Sequence, residues 1–443
     1  MRKPMLRIAA VNQRVHAVES AHNSRAEECV TKIQSCAGLI VVCALAALNT
    51  SDIGHAQVVA KQVVDKNGAP QYRVDPFWPK PLPNKWSMQQ VVGMWVDQMD
   101  HVWFLNRGVA AIPIELVAEY DPAALCCVRG PELIEEDQQG NVVNAWGGPK
   151  FHPKWPKSLQ TVIVDSKGFV WVSGEANEDS ILKFTRDGKL VWDFEHRPTP
   201  QQAKLPENNQ ETSYLLNKGR FQLDEVANEI YIINQKRVLV YDASTGAYKR
   251  GWGGHGMPLK EVTNQDISGY KWTGGPPPEE KNFVPNLHFV EISKDRKVYI
   301  GERGQNRIQV FTTDGKWLQD IYVSPNSPAQ RGGCAGLAVK NPPTMPIPMT
   351  FYQSICGTTY KMVMSKDAQQ KYLFVADAHN DVIWTIDRQS GKTLGYFGGS
   401  GRLAGQMTFP NSIGIDTQGN VYVGEVDMGK RIQKFAPVLE GTR

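Results

Sequence analysis

Residues 283–321 read FVPNLHFVEISKDRKVYIGERGQNRIQVFTTDGKWLQDI. Apolar and polar residues alternate through four short runs of this stretch, and polar turns separate the runs. Alternation of this kind is typical of β-strands, and the Asp314–Gly315 pair is a hairpin-turn signal. The stretch therefore predicts a four-stranded antiparallel sheet of about 40 residues.

The same order of strands and turns recurs along the chain. Two further copies are clearest at residues 155–194 and 409–437, and the second of these has three strands of its own. A unit of this size cannot bury both faces of its sheet, so successive units stack around an axis. We predict an all-β fold, a six-bladed β-propeller of four-stranded antiparallel blades. Seven blades is the alternative if the insertion near residues 334–352 contains strands.

The remaining blades are predicted from a start near Gln89 and over residues 220–254, 283–323 and 360–399. In the first blade we expect the third strand at Val117–Pro122 and the fourth at residues 142–148. A short strand at residues 71–75 is expected to complete the last blade as its outer strand. Joining both ends of the domain in one blade would close the ring.

The N-terminal segment has the pattern of an export signal. Basic residues precede an apolar run, Ala37–Leu48, which is short for a membrane span and suits a signal peptide. We predict a signal peptide with a long n-region at residues 1–56, cleavage after Ala56, and a periplasmic or secreted protein. A retained membrane anchor is the alternative. Residues 57–70 are expected to be a disordered lead, and residues 71–443 a single propeller domain.

Three insertions and four cysteines interrupt the repeats. The insertions lie near residues 196–214, 255–281 and 325–352, and long loops on a rigid scaffold are often binding surfaces or lids. Cys334 and Cys356 bracket a Pro-rich stretch, and in an exported protein we expect them to form a disulfide. For the adjacent pair Cys126 and Cys127, free thiols are as plausible as a strained bond between neighbours.

Charge and motifs exclude several classes of function. The chain has 49 Lys and Arg against 45 Asp and Glu, a net charge of +4, which is no footprint for nucleic acid. It contains no GxSxG nucleophile motif, no P-loop and no EF-hand loop. We therefore expect neither nucleic-acid binding nor serine-based hydrolysis, and no membrane span in the mature chain.

The repeats resemble NHL repeats, and residues 89–437 resemble the lyase that cleaves peptidyl-α-hydroxyglycine to an amidated peptide and glyoxylate. The segments that carry this resemblance are, in order, GMWVDQMDHVWFLNRG, PELIEEDQQGNVV, FVPNLHFV, VYIGERGQNRIQVF, FPNSIGID and NVYVGE. The resemblance implies the same propeller fold that the repeats predict.

The resemblance also implies a metal site, which this sequence lacks. The lyase holds zinc with one His from each of three Pro-His steps, and here those positions are Lys157, Asn286 and Asn411. The position where the family binds calcium is Ser412, and residues 233–236, where its base would lie, contain no Tyr. Lys and Asn do not replace histidine as zinc ligands. Zinc is therefore not expected, calcium is possible, and no cofactor is predicted.

Two arginines match the lyase's active site. The resemblance implies that Arg107 and Arg303 bind substrate there. Together with Lys157, Asn286 and Asn411 they predict a cationic pocket at the channel mouth for a carboxylate or a peptide C-terminus. The alternative is structural, with Lys157 filling the channel and either solvated or paired with an acid such as Glu302 or Glu425.

Weaker candidates complete the site prediction. His288 is either a replacement ligand or base, or a buried hydrogen-bonded histidine. Trp272, in a Gly/Pro-rich loop, is a candidate exposed contact. An acid recurs at the end of the second strand of four blades, and we expect a structural role for these residues, which are Glu175, Glu302, Asp377 and Glu425.

These observations favour an exported propeller that binds a small anionic ligand or a protein or peptide partner at its central-channel face. The alternative is a lyase or hydrolase related to the amidating lyase, with a modified or metal-free site and a carboxylate or peptide substrate. Lost histidines favour binding, and retained arginines keep the enzyme alternative open.

Overall fold

The computed structural model describes residues 61–107, 127–206, 208–262, 281–283, 287–303, 306–324 and 359–441. The chain divides into two compact units, Met1–Val58 and Val59–Arg443, and the described residues belong to the second. The predicted signal peptide and the insertion at residues 325–352 lie outside the described residues. None of the helices in the described ranges is long or apolar enough to cross a membrane.

The described part of the chain is built from 26 strands and four short 3-10 helices. The strands are β1 (Tyr72–Asp75), β2 (Trp86–Ser87), β3 (Gln90–Val96), β4 (Val102–Arg107), β5 (Val128–Arg129), β6 (Leu133–Glu136), β7 (Val142–Trp146), β8 (Leu159–Val164), β9 (Val170–Gly174), β10 (Leu182–Phe184), β11 (Leu190–Asp193), β12 (Arg220–Asp224), β13 (Glu229–Asn234), β14 (Arg237–Asp242), β15 (Tyr248–Trp252), β16 (Leu287–Ile292), β17 (Lys297–Glu302), β18 (Arg307–Thr312), β19 (Trp317–Tyr322), β20 (Lys361–Met364), β21 (Tyr372–Asp377), β22 (Val382–Asp387), β23 (Thr393–Gly398), β24 (Pro410–Ile415), β25 (Val421–Glu425) and β26 (Ile432–Pro437). The 3-10 helices are Pro83–Lys85, Gln202–Lys204, Gly254–Gly256 and Leu259–Glu261.

These strands form six four-stranded antiparallel sheets, which confirms the six-bladed propeller. In chain order the blades are β3-β4-β6-β7, β8 to β11, β12 to β15, β16 to β19, β20 to β23, and β24 to β26 with β1. The small pair β2 and β5 is parallel. Apolar side chains of successive blades pack against one another. Both faces of each sheet are therefore covered.

Strand β1 closes the ring as predicted. It pairs antiparallel with β26, with Tyr72 opposite Pro437. The pairing extends further than we expected, because Gln62 bridges Leu439 and the Val63 amide donates to the carbonyl of Val438 at 2.8 Å. The expectation that residues 57–70 form a disordered lead is therefore wrong for residues 61–70. Residues 57–60 lie outside the described part.

The third strand of the first blade differs from the prediction. It is β6, with the sequence LIEE, rather than Val117–Pro122, which lies outside the described residues. Glu135 and Glu136 made this segment look like a turn in the sequence. Both are nevertheless buried, so polar residues here occupy a strand interior.

A carboxylate clamp closes the turn after several inner strands. In the second blade, Asp165 Oδ1 accepts the amides of Lys167 and Phe169 at 3.0 and 2.9 Å, and Oδ2 accepts the Trp171 indole N–H at 2.9 Å. The carboxylate thus links the turn to the following strand, which explains why Asp occurs at these turns. The same clamp joins Asp97 to Trp103 and Asp416 to Tyr422.

The inner strands β3, β8, β12, β16, β20 and β24 surround a central channel. All six contribute their early residues to one cavity. The later residues of β3, β16, β20 and β24 line a second cavity. We call the end where these strands begin the upper end of the channel, and the other the lower end. The upper end also receives the ends of the second strands, since neighbouring strands are antiparallel.

Candidate functional site

The cavity at the upper end has an empty volume of about 410 Å³. It is polar at the side chains that the strand starts present, which are Gln160, Arg220, His288, Tyr360, Lys361, Asn411 and Ser412. Since every inner strand contributes, a ligand here would contact all six blades.

β-Bulges aim three of these side chains. The register with the second strand shifts between Leu159 and Thr161 in β8, and at the equivalent places in β16 and β24. The residue left unpaired at each shift lines the cavity, and these residues are Gln160, His288 and Asn411. A bulge changes the direction of one side chain of a strand. In these three strands it turns a polar side chain toward the channel.

Arg303 directly follows β17 and lies flat on Tyr360. Its guanidinium carbon is 3.8 Å from the centre of the tyrosine ring, and Nη2 donates a hydrogen bond to the tyrosine hydroxyl. Burial lowers the pKa of Arg303 to about 10, so the side chain stays charged at neutral pH. The stacking fixes the direction of the guanidinium.

Arg107 is the last residue of β4. It donates from Nη2 to Gln90 Oε1 at 2.9 Å and from Nη1 to the Leu159 carbonyl at 3.4 Å. Burial is the main cause that lowers the pKa of Arg107, and the carboxylate of Glu175 opposes it. Both contacts are to neutral groups, so they hold the side chain without neutralising it.

Arg220, the first residue of β12, is a site residue that we did not predict. Its Nη2 lies 2.5 Å from Glu175 Oε1, and the side chain lines the cavity. Pro-x steps mark the starts of β8, β16 and β24, whereas β12 follows Leu216–Gly219 and has no such mark. Its position at the start of an inner strand was the signal that could have identified it.

The three arginines and Glu175 form one electrostatic unit. Arg220 lowers the pKa of both Arg107 and Arg303 by repulsion, whereas Glu175 raises both. We call Arg107, Arg220 and Arg303 the arginine cluster. In each of them Nε is buried and has no hydrogen-bond partner in the described part of the structure. Each of these three cations therefore has an N–H without an acceptor, and Glu175 is the carboxylate that they share. Arg107 also lies near Asp427.

His288 and Asn411 supply acceptors beside these donors. The Nδ1–H of His288 donates to the Tyr360 carbonyl at 2.5 Å, which leaves Nε2 as the acceptor. Burial, together with Arg220 and Arg303, lowers the pKa of His288 well below its usual value, so the ring is neutral. Oδ1 of Asn411 is buried without a hydrogen-bond partner in the described ranges.

Lys157 is not part of this site, in contrast to our prediction. Its side chain is 72% exposed, and Nζ lies 2.7 Å from Glu178 Oε1. Its backbone amide donates to Asp179 Oδ1 at 2.8 Å. Lys157 is thus solvated and paired with an acid, but it does not fill the channel, and the paired acid is Glu178 rather than Glu302 or Glu425.

Other predicted residues lie outside the described part of the chain. Asn286, Trp272, Cys334 and Cys356 are in this group. Cys127 is disulfide-bonded, and its partner cysteine is not among the described residues. Of the two alternatives that the sequence left open, the free thiol is therefore excluded for Cys127.

The residues present do not fit a zinc site. Of the three zinc positions, two are described, and they hold an exposed ammonium and an amide. Elsewhere in the described ranges, Asp97, His101 and Glu135 come close enough to hold a metal. Arg186 already fills this group, since it contacts Glu135 and lies 3.2 Å from Asp97 Oδ2. We therefore assign these residues a structural role between the first two blades.

The fold has similar solved structures. The chain is similar to a streptogramin B lyase, with 11% sequence identity, coverage of 83% of this chain and 98% of that chain, and a TM-score of 0.41. A structural genomics protein of unknown function from Bacteroides thetaiotaomicron has 12% identity, coverage of 85% and 75%, and a TM-score of 0.46. A catalytically inactive virginiamycin B lyase from Staphylococcus aureus with quinupristin has 12% identity, coverage of 83% and 89%, and a TM-score of 0.40.

At these identities and TM-scores the likeness concerns the propeller fold and says nothing about the chemistry of this chain. No family model matches the sequence, and no curated protein matches it either. The resemblance to NHL repeats and to the amidating lyase therefore stays a prediction.

Proposed function

We propose that this propeller binds a small anionic ligand, a carboxylate or a peptide C-terminus, at the upper end of its channel. The arginine cluster carries this proposal. Three half-buried guanidiniums, each with a buried Nε that has no partner in the described structure, lie near the Glu175 carboxylate, and Arg107 also lies near Asp427. Burying a charged donor without an acceptor is costly, so an anion that completes these hydrogen bonds would be strongly favoured.

The geometry suits a small ligand better than a large one. The cavity has an empty volume of only about 410 Å³, part of which is open to solvent. A carboxylate can accept two hydrogen bonds from one guanidinium, and Arg303 is already oriented by Tyr360. A peptide would therefore enter with its terminal carboxylate first. Export to the periplasm or the cell exterior remains part of the proposal, on the basis of the apolar run Ala37–Leu48.

The enzyme alternative rests on His288. Its Nε2 is an acceptor at the cavity, where it would take a proton from a ligand held by the arginine cluster. The lowered pKa of His288 makes the ring a weak base at neutral pH. Binding without turnover is therefore the function that the site supports better.

Calorimetric titration of the purified protein with N-acetylglycine, a mimic of a peptide C-terminus, tests the proposal. We expect saturable binding, and no binding of the neutral N-acetylglycinamide. Arg303→Ala should weaken the affinity by about 10- to 100-fold, the usual worth of a hydrogen bond to a charged group. Lys392→Ala is the control, since it removes one exposed positive charge from the turn between β22 and β23.

Equal affinities of the wild type and Arg303→Ala would contradict the proposal. Metal analysis with an assay on a hydroxyglycine peptide tests the enzyme alternative. Stoichiometric zinc together with turnover would replace the binding function with that of a lyase.

A further inference from the structure

The acid at the end of the second strand is paired within its own blade in three of the four blades that carry one. In the fifth blade, Asp377 accepts hydrogen bonds from Asn380 and Trp384. In the fourth blade, Glu302 is buried and accepts hydrogen bonds from Arg307 Nε at 2.7 Å and Gln309 at 2.9 Å. In the sixth blade, Glu425 accepts from Arg431 and Gln433 at 2.7 and 2.8 Å. Glu302 and Glu425 are therefore neutralised by the third strand of their own blade.

The second blade lacks that arrangement. Five and six residues after Glu175, where the fourth and sixth blades have arginine, it has Ser180 and Ile181. Asp179 instead binds the amides at the start of the inner strand, those of Lys157 and Ser158, at 2.8 and 3.0 Å. Glu175 is thereby released from a structural role and pairs with Arg220 of the next blade.

The position of Glu175 is set by close packing. Gly219 precedes Arg220, and a Cβ at Gly219 would lie 2.7 Å from Glu175 Cγ. The Glu175 side chain therefore packs directly on the backbone of Gly219, and its carboxylate lies 2.5 Å from the Arg220 guanidinium. It remains 26% exposed, so solvent and solutes have access to it.

We propose that Glu175 is an internal competing anion, which occupies the arginine cluster and which a ligand must displace or outcompete. This inference rests on the proposed function. Without a ligand, the carboxylate offsets repulsion among three half-buried cations. With a ligand, two anions face the same guanidiniums, and their repulsion weakens binding. Glu175 would thus set the affinity of the site and select against weakly bound anions.

Titration of Glu175→Gln with N-acetylglycine, and separately with inorganic phosphate, tests this inference. The variant keeps the size of the side chain and removes its charge, so we expect affinity to rise by about tenfold. Glu178→Gln is the matched control, because it removes an acid three residues away that pairs with Lys157 instead. Its affinity should equal that of the wild type.

The outcomes separate this inference from the proposed function. If the wild type binds and Glu175→Gln binds equally or more weakly, Glu175 only positions Arg220 and the inference is wrong. Glu175→Ala provides a second variant with the same expected rise. If neither the wild type nor Glu175→Gln binds either anion, the proposed function itself fails.

Discussion

The two ends of the channel are made by the same inner strands, and the charged groups that lie there have different partners. At the lower end, the turn carboxylates Asp165 and Asp416 are each shared among backbone amides and an aromatic side chain of their own blade. At the upper end, four inner strands have a register shift, and the arginine cluster leaves three buried Nε atoms without partners among the described residues. We infer that the lower end contributes mainly to the stability of the fold and that the upper end is available for ligand binding.

This contrast predicts that changes at the lower end alter stability and that changes at the upper end alter ligand affinity. Four substitutions test it, and they are ordered from the largest expected effect to the smallest.

Glu136, at the lower end of β6, should give the largest effect. Burial raises the pKa of Glu136 to about 8 from the usual 4.5, and both carboxyl oxygens lack partners in the described structure. The folded state therefore holds this proton more tightly than the unfolded state, so stability falls as pH rises across that range. Glu136→Gln should raise the free energy of unfolding at pH 9 by up to about 4 kcal/mol.

Urea denaturation at pH 5 and pH 9 measures this difference. At pH 5, Glu136 in the folded wild type and Gln in the variant are both neutral. The two proteins should therefore have the same free energy of unfolding at this pH. A gain of the same size at both values would show that ionisation of Glu136 is not the cause.

Asp165→Ala should be next. It removes the acceptor of two backbone amides and of the buried Trp171 indole, and we expect a loss of about 3 kcal/mol in the free energy of unfolding. N-acetylglycine affinity should not change below the melting temperature. Asp165→Asn, which keeps one oxygen, is the control and should cost less. Lost binding with normal stability would break the division between the two ends.

Arg220→Met should give the opposite result. The variant loses one cation of the arginine cluster, so N-acetylglycine affinity should fall by about tenfold. The melting temperature should change little, because the lost Glu175 pair is offset by less repulsion with Arg107 and Arg303. Calorimetric titration and a thermal melt of the same preparation measure both quantities. A large fall in melting temperature would give Arg220 a structural role.

Lys157→Ala should have the smallest effect. The side chain is exposed and paired with Glu178, so affinity for N-acetylglycine should change by less than about twofold. A loss comparable to that of Arg220→Met would restore the interpretation that the sequence first suggested.

The blades were predictable because their signals are local. Alternating strands and Asp-Gly turns recur at a fixed spacing, and both survive in the structure. The third strand of the first blade was missed because Glu135 and Glu136 are buried acids within a strand, and burial is a tertiary property. Residues 61–70 are ordered because Gln62 pairs with Leu439, which is distant in the sequence. Local sequence patterns cannot predict such a pairing.

The candidate site was predictable only in part. Arg107 and Arg303 were found through resemblance, and both lie in the arginine cluster. Lys157 was misplaced because its pairing with Glu178 depends on how the two loops meet. Arg220 was missed because the start of β12 lacks the Pro-x step that marks the starts of β8, β16 and β24. The bulges that aim His288 and Asn411 depend on strand register, which the sequence does not show.

A crystal structure of the protein soaked with N-acetylglycine tests the central claim most directly. We expect the ligand carboxylate within hydrogen-bond distance of Arg303 and Arg220, with the Glu175 carboxylate moved from its 2.5 Å contact. An arginine cluster free of ligand at a saturating concentration, or a carboxylate bound at the lower end of the channel, would contradict the account.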